Sequence, residues 1–236
     1  MTREFSALLV SCLTVAGCQS ITAVDGFDAV AARGEVLRID GAGWGRSGHF
    51  AIAPAGTAGT FQRSAKATAV NGEKLALGDL KVTLAGGEFD GLSAECAHSR
   101  ETFEITEQVS RGTTIQSSYL TGPYLLTCGF YRGEAAIGGI AMHEEVANDV
   151  RTLRSGRVEV GEVRMRLTSL HSGPGLALPT GEPLGYAMTY GSGDEAVLFV
   201  NGGDRRLALP KNGRDERAAA MLAGVALSLV WDPGDS

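Results

Sequence analysis

Four histidines, four cysteines and one arginine triplet are the residues of this chain whose types could make a chemical site. His49, His98, His143 and His171 stand far apart, and none has a second ligand at metal spacing. His143-Glu144-Glu145 lacks the second histidine of H-E-x-x-H, and Cys96 with His98 is a lone C-x-H. Ser47 and His49 have the types of a nucleophile and a base, but neighbours in one loop rarely converge, and no G-x-S-x-G elbow is present. Gly43-Trp44-Gly45-Arg46-Ser47-Gly48 fits G-x-G-x-x-G, which binds a dinucleotide only between a strand and a helix. His49–Ala53 and Pro54 follow it and do not read as helix, so a glycine-rich turn is expected. Arg151, Arg154 and Arg157 would share a face if helical and could then hold an anion or a lipid headgroup; otherwise they are a solvated surface. The expectation is no catalytic residue, no bound metal and no cofactor.

Composition bounds what must position these residues. The chain has 236 residues, 44% hydrophobic and 20% charged, the proportions of a globular protein with a sizeable core. Its 33 glycines against 7 prolines favour many tight turns between short strands. The net charge of −6 argues against a nucleic-acid partner and against a polybasic membrane patch.

The amino terminus gives the most specific signal. A short charged start, an apolar run from Phe5 to Val15 and small residues behind it describe a secretory signal, too short to span a bilayer. Val15-Ala16-Gly17-Cys18 resembles the lipobox of bacterial lipoproteins. That resemblance implies cleavage after residue 17, lipidation of Cys18, and a membrane partner reached through the acyl chains. Several chains are needed for durable anchoring. Gln19 rather than Asp after the cysteine implies the outer membrane, on its periplasmic side. A plain signal peptide with a coincidental cysteine is the alternative. In an oxidising envelope Cys96 and Cys128 are then expected to pair as a staple between two strands. A reactive thiol is the other reading, without C-x-x-C spacing or a neighbouring base to favour it.

Three segments follow: a signal peptide over 1–17, a tether over 18–33, and a single β-rich domain over 34–236. Strands are expected at 35–39, 49–53 and 60–66, and at 75–84 as strand-turn-strand about Gly78-Asp79. More follow at 92–97, 101–106, 113–117, 124–131 and 135–142, with a short helix or loop near 144–154. Val158–Leu170, Gly185–Tyr190 and Ala196–Val200 continue the pattern, and Asn201-Gly202-Gly203-Asp204 turns the last back into 205–209. From Ala218 to Trp231 the chain has no charge, so a helix over 215–231 has no face for water and must be enclosed. At ~1.5 Å per residue it is roughly 21 Å long, short of a bilayer's ~30 Å core. The fold class is mainly β (β-rich α+β): about a dozen short antiparallel strands, in a barrel or sandwich, around a buried C-terminal apolar helix. The final hairpin, acidic link and apolar helix resemble the tubby/scramblase/LURP-one superfamily, which implies a closed barrel with a central helix.

These readings point to a lipid-anchored envelope protein with a non-enzymatic binding or structural role, and an envelope protein as a possible partner. The alternatives are an envelope hydrolase acting on cell-wall or lipid substrate, and a carrier of lipid or small apolar ligands. A carrier needs an open interior, and a hydrolase needs two histidines in one cleft with a carboxylate.

Overall fold

The computed structural model describes residues 23–43, 45–110, 113–145, 152–191, 193–211 and 213–230. The signal segment, Cys18, Trp44, Arg151 and Trp231 lie outside these. A short helix α1 (Phe27–Arg33) precedes twelve strands, and a helix α2 (Arg214–Leu229) ends the fold. The strands are β1 (Glu35–Asp40), β2 (Ser47–Ala53), β3 (Thr57–Val70), β4 (Glu73–Ala85), β5 (Leu92–Ser110) and β6 (Thr113–Arg132). After them come β7 (Ala135–Glu144), β8 (Arg154–Val160), β9 (Val163–Leu170), β10 (Gly185–Tyr190), β11 (Gly193–Asn201) and β12 (Asp204–Leu209). Every neighbouring pair is antiparallel and β1 pairs with β12, so the sheet closes into a barrel.

Closure follows from the alternation of the strands. Phe50 and Ile52, Leu80 and Val82, Leu126 and Phe130, Met165 and Leu167, and Leu207 and Leu209 all point inward into one core. Twelve strands ~4.8 Å apart and tilted ~40° close at a backbone radius of about 12 Å. Their side chains alone cannot fill that radius, and α2 does. The helix packs against β4, β5, β8, β9, β11 and β12, and every residue from Arg217 to Leu229 is buried. Its girth is kept small by Ala218, Ala219, Ala220, Ala223, Gly224 and Ala226. At Gly224 even a methyl group would meet the Leu207 side chain at 2.9 Å.

Several expectations are corrected. The turn expected at Gly78-Asp79 is absent, since β4 runs straight through. Gly78 serves packing instead, because a Cβ there would lie 2.2 Å from Nε2 of His98. The two strand pairs expected in 92–106 and 113–131 are merged into the long β5 and β6, and Gly122-Pro123 is taken up by register shifts between them. Residues 27–33, expected within a tether, form α1 on the outer wall. There Phe27 and Val30 cover Val197, Phe199 and Ala208, and Arg206 stacks over both Phe27 and Phe199. This explains why 196–200 reads as an unbroken apolar run: β11 is buried on both faces.

Cys96 and Cys128 face each other across β5 and β6 and form a disulfide. Bridging positions 32 apart in sequence restricts the unfolded chain by about 3–4 kcal/mol in the chain-entropy picture. The pairing of β2 with β3 ends at Gln62, and that of β6 with β7 ends at Leu125. Beyond those points β3, β4, β5 and β6 continue as a sheet past the barrel rim.

Leu222→Asp places a charge in the centre of a core without a partner. This variant should lose its cooperative thermal transition, whereas Leu222→Met should keep it. A normal melting temperature for the aspartate variant would mean that α2 does not occupy the barrel.

Candidate functional site

The inward positions turn from apolar to polar at the end of the barrel where α2 terminates. A helix end carries unsatisfied carbonyls and a partial negative charge. Two arginines from opposite sides of the β1–β2 loop meet it. Arg63 on β3 donates from Nη1 to the Leu229 carbonyl at 2.7 Å, and Arg205 on β12 donates from Nε to the Ser228 carbonyl at 3.0 Å. The same guanidiniums bond the loop that closes over them: Arg63 to the carbonyls of Gly43 at 2.6 Å and Gly45 at 2.9 Å, and Arg205 to that of Ala42 at 3.0 Å. Burial, with repulsion from Arg205, lowers Arg63 to about 10. Burial likewise lowers Arg205. Arg63 stays charged at neutral pH, so its hydrogen bonds to these carbonyls are charge-assisted.

This accounts for Gly43–Gly48. A phosphate cradle presents backbone amides to its ligand, whereas this loop presents carbonyls to a guanidinium and leads into β2, not a helix. The expectation of a glycine-rich turn is met.

Across the mouth lies a second polar cluster. Glu144 at the end of β7 is buried and accepts from Arg100 Nη2 at 2.9 Å, with Arg154 Nε 3.4 Å away. Arg154 Nη1 reaches the Tyr186 hydroxyl at 3.2 Å, and its Nη2 lies 3.8 Å from the exposed carboxylate of Glu182. The Tyr124 ring lies beneath both guanidiniums, with Arg154 4.5 Å and Arg100 5.6 Å from its centroid. Leu227 and Val230 of the helix end form the apolar floor of this cleft, whose volume is about 310 Å³. Beside it His171 bridges the Ser169 hydroxyl and the Thr180 carbonyl, and Ser169 accepts the backbone amide of Arg154.

The arginine triplet does not act as one surface. Arg154 and Arg157 both lie on β8, an odd number of positions apart, so one points into the barrel and the other out. The histidines are likewise dispersed. His49 and His143 lie on the outer wall, the His98 ring packs 6.0 Å from that of Tyr124, and His171 is held as described. Ser47 and His49 share the outer face of β2. Among the described residues no three His, Cys, Asp or Glu side chains gather as a metal site.

Sequence reasoning missed Arg63, Glu144 and Arg205. Their signal was parity: Phe61-x-Arg63 and Arg205-x-Leu207-x-Leu209 place an arginine on the apolar face of a strand. A charge in that register must find a partner inside the barrel. No family model, curated protein or solved structure matches the chain.

Arg154→Met would leave buried Glu144 with Arg100 alone. Leaving a buried charge wholly uncompensated costs about 3–5 kcal/mol; because Arg100 stays 2.9 Å from Glu144, the denaturant midpoint should fall by a smaller but measurable amount. Adding Glu144→Gln to that variant should recover part of the loss. If the single variant unfolds at the wild-type midpoint, the pair contributes nothing to holding the mouth.

Proposed function

We infer that the protein is a non-catalytic binding or scaffold component of the cell envelope, anchored by acyl chains on Cys18 and displaying the mouth of its barrel. The observation that carries this reading is how the interior is used. Apolar inward positions pack on α2, and the inward charges named above are bonded to helix carbonyls, to loop carbonyls or to one another. A catalytic acid or base must meet substrate, whereas Glu144 is buried beneath two guanidiniums. A carrier needs an open interior, and α2 occupies this one. The mouth cleft, with an apolar floor and a few oriented polar groups, has the make-up of a binding site.

The outer wall supports attachment by an anchor rather than by the strands. Lys81, Glu95, Arg157, Arg164 and Arg166 are exposed on it, where a spanning barrel carries an apolar band. Among the described residues no helix is long and apolar enough to cross a membrane. The anchor would also be short. Ala23 and Val24 are already buried with α1 on the wall formed by β11 and β12. The five steps from Cys18 to Ala23 reach at most about 17 Å at ~3.5 Å each. A lipidated Cys18 therefore holds the α1 side of the barrel against the bilayer surface. The resemblance to the tubby/scramblase/LURP-one superfamily belongs to this reading, since the arrangement it implies is a helix inside a closed barrel.

Native mass spectrometry of the chain, extracted from its own membranes in mild detergent, tests the anchor. The expected mass begins at Cys18, carries acyl chains and is lighter by the hydrogens of one disulfide. Cys18→Ser should move the protein to the aqueous fraction. A lipid-free mass that begins elsewhere would remove the anchor from this reading.

A further inference from the structure

The outer wall at β7, β8 and β9 carries a charged feature separate from the mouth. Arg157 of β8 and Arg166 of β9 stand directly opposite each other, and both are exposed. Like charges in directly opposed positions weaken a strand pair. Arg157 is flanked on its other side by Ala141 of β7, whose methyl group leaves open the space beside the two guanidiniums. In the next row His143 of β7 faces Ser155, and Ser155 faces Thr168. The Ser155 hydroxyl lies 3.5 Å from Nε2 of His143 and donates to Glu145 Oε1 at 2.8 Å. Ala141, His143, Ser155, Arg157 and Arg166 line a depression of about 510 Å³, bordered by Leu125, which is 45% exposed.

The local charges do not cancel. Glu159 lies 3.5 Å from Arg157 along the same strand and opposite Arg164 on β9. Arg157, Arg164 and Arg166 thus face two carboxylates in this block, Glu159 and the Glu145 that accepts from Ser155, on a chain whose overall charge is −6. The cations are concentrated here against the general balance.

We propose that this depression binds a phosphate monoester. One guanidinium fork satisfies both oxygens of a carboxylate, whereas a phosphate monoester carries three oxygens and nearly two charges. Two opposed guanidiniums suit the second. The third oxygen faces the row above, where the Ser155 hydroxyl turns from Glu145 to donate to it and His143 offers a ring N–H. The binding energy then offsets the repulsion between Arg157 and Arg166. The phosphate can belong to a soluble molecule or to a lipid headgroup, and both sources present the same group to the site. The inference is independent of the mouth cleft and of the Cys18 anchor.

Two probes on the full chain separate the sources. Isothermal titration with inorganic phosphate and glycerol phosphate reads the soluble group. Co-sedimentation with phosphatidylcholine vesicles, with and without phosphatidic acid, reads the headgroup, and the undoped vesicles subtract whatever the amino-terminal segment contributes. The expected result is binding in at least one arm. R157Q/R166Q should weaken it by at least about tenfold, with an unchanged or higher melting temperature because the repulsion is gone. R38Q, which alters an exposed arginine paired with Asp40 elsewhere on the wall, should leave binding as it was. Binding in the titration assigns the site to soluble phosphate, and binding in the doped vesicles alone assigns it to a headgroup. Silence in both arms, or binding that survives the double variant, overturns the proposal.

Discussion

A helix sealed inside a barrel must have the carbonyls of its buried carboxyl end satisfied by protein, because Ser228 and Leu229 are out of reach of water. The rest of the structure follows from that requirement. At the carboxyl end Arg63 and Arg205 take the carbonyls of Leu229 and Ser228. The amino end, where Gly213 and Arg214 are exposed, is instead fastened to the wall from its side: Arg217 donates to the carboxylates of Glu35 and Glu88 and to the Pro210 carbonyl. The hydrogen bond to Glu88, more than burial, governs the Arg217 charge and raises its pKa. Glu35 comes from β1, Glu88 from the turn after β4, Arg63 from β3 and Arg205 from β12. Each helix end is therefore tied to separate strands, and the helix fixes the circumference as well as filling it.

The clamp explains features that otherwise look unrelated. In the β1–β2 loop Gly41 supplies a positive φ of 86°, and the loop aims the carbonyls of Ala42, Gly43 and Gly45 at the two guanidiniums. The acidic start of α2, with Asp215 and Glu216, suits the positive end of the helix dipole. The absence of polar side chains along the middle of the helix follows from the ring of inward Leu, Phe and Met side chains that receives it. Exchanging these side chains for others of equal volume would cost little. Losing an arginine at either end would expose the full desolvation cost of the carbonyls it serves.

Much of the fold was legible in the sequence because it rests on period and charge pattern. The uncharged run from Ala218 to Leu229 required enclosure, and the alternation in 158–170, with the apolar run 196–200 and the turn at Asn201-Gly202-Gly203-Asp204, marked strands that enclose it. Strand lengths were less legible. Glycine and proline normally mark turns, but Gly78 sits mid-strand to admit the His98 ring, and Gly122-Pro123 sits within an irregular part of β6. Such uses depend on a neighbouring strand far away in sequence. The mouth was hidden for the same reason. Arg63 and Arg205 are 142 positions apart in sequence, and only barrel closure brings them to one helix end. Arg154 and Arg157 would have shared a face only on a helix; on strand β8 they go to opposite sides, Arg154 buried and Arg157 exposed.

The filled interior also decides where recognition can occur. An eight-stranded barrel or a larger empty one can offer its lumen to a ligand, but here the lumen is committed to α2. What remains is the rim and the outer wall. The rim is extended by β3 to β6, which run past the last partners offered by β2 and β7. This extension stands beside the cleft over Leu227 and Val230, where the helix end, Arg154 and Tyr186 meet. The covered wall at β11 and β12 is taken by α1. The wall from β2 to β9 mixes exposed charges such as Lys81, Glu95, Arg157 and Arg166 with exposed Leu75, Leu77 and Leu125, and its alternation turns every second side chain outward. Inward side chains hold the barrel and its helix together, and outward ones on the same strands are open to contact. β8 illustrates this directly: Arg154 secures the mouth from within, and Arg157, on the same strand, faces out.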